Sequence, residues 1–318
     1  MKTLVIGAGG MIGRKLAARL PKEELILHDV VPFDGASVVS DLSAPGEAEK
    51  LIASRPELIF HLAAVVSGEA EADFDKGYRV NLDGTRRLFE AIRIENYNPR
   101  VVFTSSIAVF GAPFPEAIGD EFLAAPLTSY GTQKAIGELL LSDYSRRGFF
   151  DGIGLRLPTV CVRPGKPNKA ASGFFSGIIR EPLHGEEAVL PVPETVRHWF
   201  ASPRAAIGFL MHASRIDTDR LGTRRNLSMP GLSATVGEQI AALRKVAGDK
   251  AVRLIRREPD PTIMRIVAGW PQNFDTKRAL ELGFRADRSF EEIIRIHIED
   301  EMQADELRKS AQPRPSRG

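Results

Sequence analysis

Tyr130 and Lys134 stand four residues apart, so on a helix they share one face. A phenol beside an ammonium is a proton-transfer pair, because the cation favours the phenolate and a phenolate can take the proton of an alcohol. An ordinary phenol, with its pKa near 10, must fall by roughly two to three units to work near neutrality, about 3 to 4 kcal/mol of preferential stabilisation. Ser106, which ends the run Phe103-Thr104-Ser105-Ser106, adds a hydroxyl that can bind the reacting oxygen and orient it between Tyr130 and a hydride path. Tyr and Lys at this spacing on any exposed helix are an ordinary surface pair. The serine-tipped run upstream gives them chemical meaning.

A second constellation binds rather than reacts. Gly7, Gly10 and Gly13 lie three apart, directly after the strand-like Leu4-Val5-Ile6, with Met11 and Ile12 opening an amphipathic stretch. Gly7 suits a tight turn, Gly10 lets backbone N–H groups approach a pyrophosphate, and Gly13 lets helix and strand pack closely, with the helix N-terminus facing the anion. Asp29 falls 22 residues after Gly7, where a carboxylate can accept hydrogen bonds from both adenosine ribose hydroxyls. A 2′-phosphate would meet that carboxylate with no arginine next to it in sequence, so the cofactor expected is NAD. Asp41 and Leu42 suit the adenine edge.

The elements that must position these groups follow from periodicity. Short apolar runs at 3–6, 25–28, 37–40, 58–62, 101–104 and 154–157 alternate with helical stretches at 11–20, 46–54, 80–94 and 130–147. Such alternation predicts an α/β fold, a Rossmann-type doubly wound parallel sheet with its ligand crevice at the carboxyl ends of the strands. After about Val162 proline and glycine become frequent and the pattern turns loop-rich, with helices expected at 203–214, 235–247, 276–282 and 290–299. A strand at 225–228 is expected to return to the main sheet. The expected organisation is therefore a cofactor domain at 1–162 with a return at 203–228, and a smaller, interleaved C-terminal substrate lobe from 163–202 and 229–307. The polar segment 308–318 is expected to be a disordered tail.

Composition removes several function classes. Of 318 residues 43% are hydrophobic, enough for a sizeable core, and 43 Lys plus Arg against 41 Asp plus Glu leave a net charge of only +2. That balance offers no field for gripping nucleic acid. The longest apolar runs fall short of the roughly 20 residues a membrane span needs, so no membrane partner is expected. One cysteine, Cys161, permits neither an internal disulfide nor a multi-cysteine metal site. Its place between Val160 and Val162 suits core packing, and no metal is expected. Met1 leads into a strand-like segment without a signal-peptide pattern, which makes a cytoplasmic protein the expectation.

The glycine run, Asp29, His61-Leu62-Ala63-Ala64, Asn81, Ser106 and the Tyr130/Lys134 pair together resemble the extended short-chain dehydrogenase/reductase family over residues 1 to about 165. Departures are small: Ile6 precedes Gly7 where the family often has threonine, and Phe110 stands where it commonly has tyrosine. The resemblance implies a catalytic set of Ser106, Tyr130, Lys134 and Asn81, with Lys134 bonding the nicotinamide ribose and Asn81 supporting the lysine through water or backbone. It implies that Ala63, Ser105 and Pro158 line the cofactor with the residues named above, and it suggests a homodimer built on helices 80–94 and 130–147. Segments 64–75, 155–165, 177–183 and 267–271 resemble, within that family, dehydrogenases of four-carbon sugar acids, implying oxidation of a C2 hydroxyl to a 2-oxo acid.

A small sugar acid needs a carboxylate clamp, and Arg163 and Arg197 are the second-lobe candidates. Ser67 and Gly68 follow the fourth strand on the ligand side and are candidate substrate contacts, while His61, ending an apolar run, suits a core histidine. Two other readings stay open. A sugar-nucleotide epimerase or dehydratase needs a base-stacking aromatic, and Phe174, Phe175 and Trp199 offer one. The other is a non-catalytic dinucleotide-binding sensor, which can lose the catalytic tyrosine or lysine, whereas Ser106, Tyr130 and Lys134 are all present here.

Overall fold

Runs of β-branched and leucine residues become strands where both faces can be covered. The computed structural model describes residues 1–165 and 171–303. Its strands, in chain order, are β1 (Thr3–Ile6), β2 (Leu25–Asp29), β3 (Val38–Val39), β4 (Leu58–His61), β5 (Arg100–Ser106), β6 (Asp151–Leu157), β7 (Thr159–Val160), β8 (Ala188–Leu190), β9 (Arg197–Ala201), β10 (Asn226–Ser228), β11 (Leu232–Thr235) and β12 (Ile255–Arg257). Seven of them form one parallel sheet in the order β10-β6-β5-β4-β1-β2-β3. Strand order reverses between β1 and β4, and a ligand crevice opens at such a switch, beyond the strands' carboxyl ends.

The helices are α1 (Met11–Ala17), α2 (Glu47–Ile52), α3 (Ser67–Ala72), α4 (Phe74–Gly77), α5 (Gly84–Glu95), α6 (Ser129–Arg146), α7 (Gly173–Leu183), α8 (Pro203–Ala213), α9 (Val236–Val252), α10 (Pro261–Ala268), α11 (Lys277–Glu281) and α12 (Phe290–His297). Side chains alternate across the sheet, so Leu4 and Ile6 of β1 join the α2, α5 and α6 residues Leu51, Phe89 and Leu141, while Val5 joins Leu16 of α1 and Leu210 of α8. Each large side chain fully buried here, such as Phe60 or Phe103, contributes roughly 1.5–3 kcal/mol. A separate core in the second lobe packs α7, α9 and α12 around β8, β9 and β12. Its small sheets run β11-β9-β7 and β12-β8.

Two expectations change. The helix expected at 80–94 starts as a π-helical stretch, Tyr78–Asp83, and becomes α-helical only at Gly84. The stretch expected to be loop-rich holds α7, with Pro182 in its last turn just before the helix ends. The strand expected at 225–228 is β10, on the free side of β6. The tail at 308–318 lies outside the described residues.

Candidate active site

The turn after β1 is set by steric necessity. Gly7 has φ +87°, and a Cβ there would sit 2.6 Å from the Ala63 nitrogen, in the chain leaving β4. A Cβ on Gly13 would come within 2.2 Å of the Gly7 carbonyl oxygen. Gly10 differs: a Cβ on it would meet only the Gly7 carbonyl oxygen, at 3.5 Å, so the protein has room for a side chain that would instead fill the crevice. No side chain caps the first turn of α1, which leaves N–H groups of Met11 and Ile12 at its open end. Open donors at a helix N-terminus, over a glycine that leaves space, fit a dinucleotide pyrophosphate.

Asp29 ends β2 half-buried. Its Oδ2 accepts from the Gly9 N–H at 2.8 Å and its Oδ1 from the Val31 N–H at 3.1 Å, so each oxygen retains a lone pair for a ribose hydroxyl. Folding adds a neighbour that sequence adjacency misses. Arg14 Nε donates to the Gly9 carbonyl at 2.7 Å and lies over the Phe33 ring, so the carboxylate and the guanidinium hold opposite sides of one residue. Asp41 accepts from Ser43 N and Oγ and from Arg79; burial raises its carboxyl, but these donors more than offset that and hold it below its ordinary value. The Leu42 side chain is core.

The candidate reacting groups lie along the contact of β5 with α6. Thr128 caps α6 by accepting from the Gly131 N–H, which starts the helix one residue before Tyr130. The Tyr130 hydroxyl lies near Ser106, whose Oγ accepts from the Ala108 N–H at 3.1 Å. One turn on, Lys134 is 2% exposed and its Nζ donates to the Thr104 carbonyl at 2.8 Å, with the Tyr130 ring centroid 5.9 Å away. Burial pushes Tyr130 up to about 12, partly opposed by Ser106 and by the charge of Arg163. Burial also brings Lys134 down to about 8, while Glu138 acts to raise it.

Asn81 sits in the π-helical stretch, 1% exposed. Its Nδ2 donates to the Val65 carbonyl and to Gln133 Oε1, and its Oδ1 accepts from the Val65 N–H. Among the described residues Asn81 therefore meets Lys134's chain neighbour rather than its ammonium, and it fixes the loop leaving β4. His61 is a buried histidine of the kind expected: its Nε2 faces Thr85 at 2.8 Å, Thr85 donates to the Asn81 carbonyl, and burial brings the imidazole down to about 3, so it is neutral. Ser67 and Gly68 open α3, which packs on α6. Pro158 is buried between β6 and β7, and Ser105 is buried with its hydroxyl on Glu138. Cys161 is buried and burial pushes its thiol up to about 12, which suits packing.

The two candidate arginines part company. Arg163 acts electrostatically on Tyr130 and has no salt-bridge partner among the described residues. Helix α7 fixes its backbone at both ends: Ser176 Oγ accepts from the Arg163 N–H at 3.0 Å, and Arg180 Nη1 donates to its carbonyl at 2.7 Å. Arg197 instead donates to the Ser233 carbonyl at 3.1 Å, pairs with Glu238 at 3.4 Å, and lines a separate cleft with Met264 and Gln272. The structure brings Ser106, Tyr130, Lys134 and Arg163 together and does not bring Arg197 to them. Glu138, buried one turn beyond Lys134, and its half-buried partner Arg156 went unread in the sequence although Tyr130, Lys134 and Glu138 repeat every four residues.

Among the described residues no group of three His, Cys, Asp or Glu side chains could hold a metal, and no helix is long and apolar enough to cross a membrane. The profile of the NAD dependent epimerase/dehydratase family matches residues 3–215. The chain is 47% identical to the D-erythronate dehydrogenase of Cupriavidus necator, over 94% of this chain and 98% of that one. It is 43% identical to the D-erythronate dehydrogenase of Haemophilus influenzae, over 95% and 100%. A crystal structure described as the nucleoside-diphosphate-sugar epimerase from Agrobacterium tumefaciens superposes with a TM-score of 0.92 at 68% identity, covering 95% of each chain. With its parallel seven-stranded sheet, its glycine turn and this match over two thirds of its length, the chain belongs to the NAD-dependent epimerase/dehydratase family.

Proposed function

We propose that this protein oxidises the C2 hydroxyl of D-erythronate, or of a close four-carbon aldonate, to the 2-oxo acid. The observation that carries this reading is the convergence of Ser106, Tyr130, Lys134 and Arg163 at the carboxyl end of β5. Bound NAD supplies the hydride acceptor, held by Gly7, Gly10 and the start of α1 at its phosphates and by Asp29 at its adenosine ribose. Ser106 binds the reacting oxygen and Tyr130 takes its proton. Because burial places Tyr130 at about 12 rather than near 10, bringing it to about 8 requires about 5 kcal/mol of phenolate stabilisation, more than an exposed phenol would need. Lys134 stabilises the phenolate through its charge, and Arg163, whose guanidinium is without a carboxylate among the described residues, holds the substrate carboxylate next to the reacting carbon.

The names of the relatives at 47% and 43% identity support this reading, and the second lobe argues against a nucleotide-linked substrate. The aromatics that could have stacked on a base are already engaged. Trp199 is buried against Phe274 and donates to the Met229 carbonyl, Phe175 is buried face to face with His198, and Phe174 packs on Phe175. The test is to incubate the purified protein with NAD and D-erythronate, other four- and five-carbon aldonates, and nucleotide sugars. One NADH per erythronate consumed is the expected outcome. Conversion of a nucleotide sugar without net NADH, and no turnover of any four-carbon acid, would overturn the proposal.

A further inference from the structure

Helix α6 is tied to β5 at two successive turns by neighbouring residues of the strand. The Thr104 carbonyl accepts from Lys134 and Ser105 Oγ donates to Glu138 Oε1 at 2.6 Å, while Tyr130, one turn earlier, lies near Ser106. The Glu138 contact involves no group of the proposed chemistry, yet it is the most elaborate. Arg156, opposite Ser105 in the β5/β6 register, sends Nε to both Glu138 oxygens at 2.9 and 3.1 Å and Nη2 to Oε2 at 2.7 Å. Glu138 is 3% exposed, and the guanidinium is covered by the Phe110 ring at 4.9 Å.

A buried ion pair is weak evidence for stability, because an apolar pair of similar size often serves as well. What apolar residues cannot supply is direction and charge. A one-residue slide of a helix is 1.5 Å, enough to break every bond at the Glu138 carboxylate and to carry Tyr130 and Lys134 away from their partners. Lys134 is faced by Tyr130 and Glu138 on its own helix, by the Phe103 ring of β5 at 4.9 Å and by neutral His61 on β4. Among the described residues Glu138 is the carboxylate that acts on its charge.

We propose that Glu138 is a positioning residue whose carboxylate, clamped by Ser105 and Arg156, sets the register of α6 on β5 and so the placement of Lys134 beside Tyr130. This rests on the reading of Tyr130 and Lys134 as the proton-transfer pair. The test compares Glu138→Gln with the double variant Glu138→Gln/Arg156→Met, which also removes the guanidinium left unpaired. Calorimetry should find NAD affinity within about threefold of wild type in both. In both, kcat should fall roughly 10- to 30-fold, and in the single variant, where the Arg156 charge is left unopposed, the alkaline limb of the kcat/KM profile should also move lower, because Lys134 then loses its proton more easily. The double variant, which removes both charges, should regain the thermal stability and the alkaline limb lost in the single one without regaining kcat, and it carries the test if the single variant does not fold. A wild-type kcat in the double variant would reduce Glu138 to a structural ion-pair partner and overturn the proposal. Tyr130→Phe, measured alongside, separates the two ideas: an active Tyr130→Phe defeats the proton-transfer reading, whereas an inactive one with unchanged Glu138 variants defeats only this inference.

Discussion

The contact between β5 and α6 and the wall formed by the second lobe handle their polar groups in opposite ways. Along β5, Lys134 and Glu138 each have a hydrogen-bond partner within the protein, a backbone carbonyl and a side chain, and Tyr130 lies near Ser106. In the second lobe Arg163 is fixed by its backbone, while its guanidinium acts on Tyr130 through its charge and has no carboxylate partner among the described residues. Fixed geometry on one side and unsatisfied charge on the other is the division expected between a reacting centre and a recognition surface. The same contrast separates Arg163 from Arg197, whose guanidinium is committed to Ser233 and Glu238.

The comparison breaks most directly at Tyr130. Tyr130→Phe removes a hydroxyl near Ser106 and no core volume, so it should fold and bind NAD while kcat falls roughly 10²- to 10⁴-fold across the pH range. A variant keeping most of its turnover would remove the reacting centre from this site. Next in size is the arginine pair. Arg163→Ala should lose about 3 kcal/mol of transition-state stabilisation with the four-carbon acid, roughly 100-fold in kcat/KM, and much less with a neutral polyol of the same length. Arg197→Ala should change either value by less than about threefold. Equal losses for acid and polyol in Arg163→Ala would show that the charge it offers is not for a carboxylate. The smallest effect is at the cofactor's far end. Asp29→Ala should invert the preference for NAD over NADP, by roughly tenfold, because the change leaves Arg14 beside Gly9 with its charge unopposed there. Titration of both cofactors by calorimetry reads this directly, and equal affinities in the wild type would remove Asp29 as the ribose ligand.

What the sequence made legible depended on whether one period could carry the information. The strands of the first half are buried on both faces, so Leu4-Val5-Ile6 and Leu58-Ile59-Phe60 read as continuous apolar runs, and the Tyr130/Lys134 pair is a simple four-residue spacing. Asn81 was legible as a residue but not as a geometry. A π-helical stretch shifts every later side chain around the axis, so a helix drawn from residue 80 puts its contacts in the wrong place. Glu138 continued the four-residue spacing, but an acid on a helix ordinarily faces water, and only Arg156 from a strand 18 residues on explains its burial. In the second lobe α7 was hidden because Gly173, Gly177 and Pro182 imitate loop punctuation, and β7 and β9 pair through five residues or fewer on each side. The choice between Arg163 and Arg197 was open for the same reason: it depends on which end of that small sheet faces the crevice.

The placement of β10 has a consequence for how the chain is made. Leu157 ends β6 and Asn226 begins β10, 69 residues later, yet β10 is the strand that covers the outer side of β6. At roughly 5–20 residues per second a ribosome needs about 3–14 s to cover that interval. For that time the nascent sheet ends in a seven-residue parallel strand with open N–H and C=O groups, a template for another chain. At the opposite side of the sheet the bordering strand is only two residues long and offers little to pair with. A fragment stopped after Leu157 would hold that intermediate permanently. It would contain the glycine turn, Asp29, Ser106, Tyr130 and Lys134, and it would self-associate rather than stand alone as a dinucleotide-binding module.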